Sequence, residues 1–128
     1  MLALAKVLWD PDQALMPPRR QCDPYPEVLG EALIRSFFWE ARFAVENAEH
    51  GRGLTDPNYV AGCIFRAVAC LCQSLFALNR VYLLNEKGAV QGVGKLKRHP
   101  PGFADRVAEI HCLGAAGLPA LYGLIDDV

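Results

Sequence analysis

Three polar residues interrupt the most apolar stretch of the chain at intervals of seven: Arg66, Gln73 and Arg80. Seven residues is close to two helical turns, so on a helix these side chains share one face. A guanidinium on so apolar a helix must pair with a carboxylate or open onto a wet cleft, because burying an unpaired charge is expensive. Arg66 therefore has two readings: partner of a glutamate on the preceding helix, or ligand contact. Arg35, Arg42 and Glu49 repeat the spacing upstream, where Glu31-Arg35 and Arg42-Glu46 are placed for i, i+4 pairs; alone, this reads as a solvated stripe. Downstream lies Asn85-Glu86-Lys87-Gly88, in which asparagine can stop a helix and glycine make the turn that follows. Cys70 and Cys72 are two apart and on a helix point to different faces, so they cannot clasp one metal ion together. His50 and His99 have no ligand partner close in sequence and read as surface residues. There is no phosphate-binding loop, no glycine fingerprint after a strand, and no nucleophile elbow.

The elements that would position these residues are helical. A chain of 128 residues fits one core. Thirteen basic against fourteen acidic residues leave a net charge of -1, which gives no overall drive toward nucleic acid or anionic lipid. The apolar share of 52% with 21% charged residues hints at apolar surface that a partner covers. Arg66 and Arg80 break the most hydrophobic run, which argues against a membrane span. Five cysteines without framework spacing fit reduced thiols, and a cytoplasmic chain is expected.

Residues 2–9 read as a short strand without a partner, ended by Asp10-Pro11-Asp12, and a proline-rich linker follows. Residues 1–24 are thus an extension and 25–128 the helical domain. The first helix is expected from about Tyr25 or Pro26 to about His50, stopped by Gly51 and Gly53. The second should start at Asp56-Pro57 and run to Leu83 or Leu84, with apolar residues around most of its circumference. Residues 85–101 read as a polar, glycine-rich connection in which 95–99 is a basic solvated run. Pro100-Pro101-Gly102 opens a third helix over 103–113, and a short fourth begins at Leu118. The fold class is all-α: an antiparallel bundle of about four helices with a strand-like N-terminal extension.

Three stretches carry a resemblance: Trp39-Glu40-Ala41-Arg42-Phe43, the run from Tyr59 to Cys70, and the run from Ala77 through Asn85-Glu86-Lys87-Gly88. Together they resemble the helical, HEPN-like C-terminal domain of bacterial nucleotidyltransferases of the DNA polymerase beta-like superfamily, which includes antibiotic nucleotidyltransferases. The resemblance covers about residues 25–113. It also implies that Val7-Leu8-Trp9-Asp10-Pro11 is the last strand and exit of a catalytic domain. The family's Gly-Ser turn and paired aspartates, which hold magnesium and nucleotide, would then lie upstream of Met1. Without such carboxylates nothing neutralises the triphosphate, so the chain alone is expected to be inactive.

Carried over residue by residue, the resemblance makes Asn85, Glu86 and Lys87 the candidates for the substrate cleft. Lys87 would be a phosphate contact acting as a point charge, and Glu86 would orient it or an acceptor hydroxyl. Arg42 and Arg66 would line the same face. The implied function is a non-catalytic substrate- and nucleotide-binding domain, acting as a separate subunit or the remnant of a split gene. Mg2+ and a nucleoside triphosphate would enter only with a catalytic partner chain, and a homodimer is expected from the apolar surface left bare. The rival is an enzyme: Arg106 and His111 have the Arg-x4-His spacing of the HEPN ribonuclease motif, which would make the chain a ribonuclease toxin acting at a dimer interface.

Overall fold

In the computed structural model, which describes residues 2–53 and 55–128, the ordered elements are helical and no strand occurs among the described residues. Two long helices dominate: α2 (Glu27–Gly53) and α3 (Pro57–Leu78) follow a short α1 (Met16–Arg20). Asp56 starts α3 by accepting the Tyr59 amide on its side chain at 2.9 Å, and Pro57 occupies the first turn, where its missing N–H is no loss. The two helices run antiparallel: Gly30 lies beside Ala77 at one end and Gly51 beside Tyr59 and Val60 at the other. Gly51 does not stop α2. A Cβ there would sit 2.5 Å from Tyr59 Cδ1, so the glycine is a point of close approach inside the helix, which continues to Gly53.

The remaining elements are α4 (Ala89–Val93), α5 (Phe103–Leu113), a 3₁₀ turn (Gly114–Gly117) and α6 (Leu118–Asp126). α6 packs on α2, α4 on α3, and α5 on α4 and α6. Ile64, Leu71 and Leu75 of α3 join Ala41, Ala44 and Val45 of α2 and Ile110, Leu118 and Leu121 in one core. α3 is apolar and long enough to cross a membrane, with mean hydropathy 1.8 over its most apolar window, but 67% of that window is buried by its neighbours. Burial is greatest in the second half of α3, where residues 67–77 are all buried or half-buried, while Tyr59, Phe65 and Arg66 of the first half remain exposed.

Three expectations are corrected. The strand over 2–9 does not form: Leu2–Leu4 is a 3₁₀ turn and the residues after it are irregular, with Leu8 85% and Trp9 82% exposed. Asp10 organises this arm instead, its two carboxylate oxygens accepting the Ala14 and Leu15 amides at 3.0 and 3.1 Å. α3 ends at Leu78, not at 83 or 84. Asn79 donates its side-chain amide to Leu75 O and to Arg98 O, Arg80 takes a left-handed φ of 56°, and the chain leaves the helix axis. The 85–101 connection is not simply polar: Ala89, Val93 and Leu96 enter the core, and their i, i+4, i+7 spacing makes α4 a one-sided helical turn.

Candidate functional site

α3 lays a series of small and polar residues along its outer seam with α2. Arg66 sits midway, its Nη2 2.5 Å from Glu40 Oε1 of α2. This is the glutamate pairing expected of a charge on an apolar helix. Glu40 Oε1 is sealed from solvent and, among the described residues, accepts no well-directed hydrogen bond, so the guanidinium holds it by charge alone. The i, i+4 pairs Glu31-Arg35 and Arg42-Glu46 are not formed; α2 instead pairs Glu27 with Arg80, Glu40 with Arg66 and Glu49 with Arg52.

Arg66 lines two cavities. The first, about 290 Å³, has Phe37 of α2 as one wall and Phe65, Arg66, Cys70 and Gln73 of α3 as another, closed by Leu83, Glu86 and Ala89. The second, about 520 Å³, opens on the other side of Arg66 between Phe43, Asn47, Tyr59 and Gly62. Phe43 is itself stacked on Trp39, rings 5.2 Å apart and 8° from parallel. A third cavity of about 330 Å³ shares Phe37, Gln73 and Leu83 with the first and continues between Leu29 and Leu33 of α2 and the 81–83 segment. Tyr82 fixes that segment: its hydroxyl donates to Cys22 O at 2.8 Å and its ring contacts Tyr25, centroids 4.5 Å apart.

Burial pushes the Cys70 thiol up from its ordinary range, and the Glu40 carboxylate adds to that while Arg66 opposes it. The protonated thiol is therefore a neutral, weakly polar wall of the first cavity rather than a nucleophile. No group of three metal-ligating side chains converges among the described residues.

Compared with known protein families, curated proteins and solved structures, the chain matches none.

The structure places Arg66, Gln73 and Glu86 on the lining of one cavity, although Arg66 and Glu86 are twenty positions apart in sequence. It does not bring Arg42 there. Arg42 is exposed on the side of α2 facing Tyr122 of α6, whose phenol is raised by burial and by Glu49 and Glu46, against the pull of Arg42. Asn85 works as a turn residue: its side-chain oxygen accepts the Lys87 amide at 2.9 Å, and Gly88, at φ 72°, leads into α4. Glu86 and Lys87 are both exposed, but only Glu86 lines the first cavity. Arg106 donates to Asp127 at 2.7 Å, which occupies its guanidinium, and His111 is exposed on the same helix. Five positions place them about 140° apart around the axis.

Sequence reasoning left out Glu40 and the aromatic walls. Glu40 stands in the Trp39-Glu40-Ala41-Arg42-Phe43 motif, where the requirement that Arg66 find a glutamate on the first helix was its available signal. Gln73 was legible as a neighbour of Arg66 on one helical face. Phe37 gave no signal, because a phenylalanine at core spacing reads as core.

Proposed function

We propose that this chain is a non-catalytic substrate- and nucleotide-binding domain of the nucleotidyltransferase type, an antiparallel helical bundle that works with a catalytic chain or domain. The observation that carries the reading is that Arg66, Gln73 and Glu86 line one aromatic-walled cavity, while Lys87, next to Glu86 in the chain but not lining the cavity, is exposed and free of ion pairs among the described residues. A cleft of a few hundred cubic ångströms with apolar walls and a few polar groups is the usual form of a small-molecule site. Glu86 and Gln73 offer hydrogen-bonding groups to a substrate, and Lys87 supplies a mobile positive charge to a phosphate brought up beside it. The exposed aromatic face around the cleft, with Trp39 62% and Phe65 57% exposed, is surface for a catalytic partner or a second copy. Mg2+ and the triphosphate belong to that catalytic partner in this reading.

The test is a titration of the purified chain with nucleoside triphosphates, with and without magnesium, repeated for Lys87→Ala. Saturable binding weakened about tenfold by the substitution, on the scale of one charge contact to phosphate, is the expected result. Absence of binding by the folded chain would remove the nucleotide part of the reading.

A further inference from the structure

We propose that the first and third cavities form one site for an amphiphilic ammonium ligand, its amine held at Glu86 and its apolar body lying between α2 and the 81–83 segment. This rests on the reading of the cleft as a substrate site and specifies the substrate's chemistry.

The two cavities, about 290 and 330 Å³, share Phe37, Gln73 and Leu83 and so are neighbours, which the proposed ligand would span. Their ends differ in character. The far end is bounded by Leu29, Leu33 and Val81, with the Tyr82 hydroxyl already donating to Cys22 O, and suits a hydrocarbon. The near end carries two charged side chains, but the Arg66 guanidinium is answered by Glu40 at 2.5 Å. Glu86 forms no ion pair among the described residues, so the charge left over in the cleft is negative. An anionic head group would face that carboxylate, whereas an ammonium would meet it in a cavity that Phe37 and Phe65 also line, and aromatic faces attract a cation. Ala69 and Ala77, one in each cavity, are eight residues apart on α3, which gives the joint slot a length of about 12 Å. That length calls for an elongated body behind the amine.

The experiment compares decylamine, decanol and decanoate, each below its aggregation concentration at neutral pH, titrated into the ¹⁵N-labelled chain while the amides of Gln73, Leu83 and Glu86 are followed. Decylamine is expected to shift them saturably and to bind at least about tenfold more tightly than decanoate, the scale of one charge contact reinforced by the aromatic faces. Glu86→Gln, at an exposed position where the fold tolerates change, should abolish that preference and leave decanol binding unaltered. Unmoved amides in α5 and α6 would verify the fold of the variant. Equal binding of amine and carboxylate, a preference that survives Glu86→Gln, or no response at these amides would each overturn the proposal. Magnesium ATP titrated in parallel separates the two readings. Nucleotide binding lost in Lys87→Ala without an amine preference leaves the nucleotide reading and ends this one, and the opposite pattern keeps this one and ends the other.

Discussion

On its inner side α3 presents Ile64, Leu71 and Leu75, each no more than 1% exposed, to aliphatic partners such as Ile110, Leu118 and Leu121. On its outer side the large apolar residues are Tyr59 and Phe65, joined from α2 by the Trp39–Phe43 stack, and all four stand in solvent around the Arg66–Glu40 pair. Both sides are hydrophobic by residue type, yet only the inner one is built as a packed interior. Aromatic rings offer broad contact area with few rotatable bonds, which suits a surface that meets a ligand or partner more than one that fills a core. Close packing and exposed aromatic surface thus fall on opposite faces of the same helix.

That division can be broken most forcefully at Leu71. Leu71→Ala should lower unfolding free energy by about 2–5 kcal/mol, the range for a fully buried leucine, whereas Phe65→Ala should stay within about 0.5 kcal/mol of the native chain. Chemical denaturation of the two variants measures the contrast, and equal losses would contradict it. A smaller effect distinguishes two backbones. A Cβ on Gly117 would come within 2.8 Å of Ile110 O, while one on Gly62 meets nothing within 4 Å. Gly117→Ala should therefore destabilise by about 1–3 kcal/mol, and Gly62→Ala should leave stability unchanged or raise it by up to about 1 kcal/mol.

The finest test uses the thiols. Cys72 points into the core, where burial, with Cys70 beside it, pushes its pKa up from 9.0 to about 12. Its folded-state pKa exceeds its unfolded value, so the neutral thiol's contribution is complete below pH 9 and is lost as pH rises toward 12. Stability should fall by about 1.4 kcal/mol per pH unit from this group within that window. Cys72→Ala should flatten that slope; a slope the variant keeps would point to other groups, the raised tyrosines Tyr25, Tyr59, Tyr82 and Tyr122 among them.

Where the sequence punctuates itself with local chemistry, the elements follow it. Asp56-Pro57 starts α3, Pro100-Pro101-Gly102 precedes α5 over Phe103–Leu113, and α6 begins at Leu118. Where the deciding contact is distant, pattern misleads. Val81-Tyr82-Leu83-Leu84 continues the apolar run, but the end of α3 is decided by the Asn79 amide reaching Arg98 and by Arg80 turning to Glu27, partners nineteen and fifty-three positions away. The Leu-rich start carries strand-like composition, yet a strand needs a neighbour, and among the described elements the arm's 3₁₀ turn and α1 touch only each other. The candidate site divides in the same way. Arg66 could be singled out from its apolar surroundings, while its closeness to Glu86 depends on a loop path that no short-range rule describes.

Asn79 has a consequence of its own. By donating to Arg98 O at 2.8 Å and accepting the Arg98 amide at 2.9 Å, its side chain joins the two ends of the segment that carries Leu83, Glu86 and α4. The segment is thereby a closed ring rather than a free strap, and closing a loop between residues nineteen positions apart removes chain entropy. For the site proposed above this means a preorganised mouth: a ligand entering it would have little disorder to suppress, and its affinity would reflect the contacts it makes rather than the freedom it takes away.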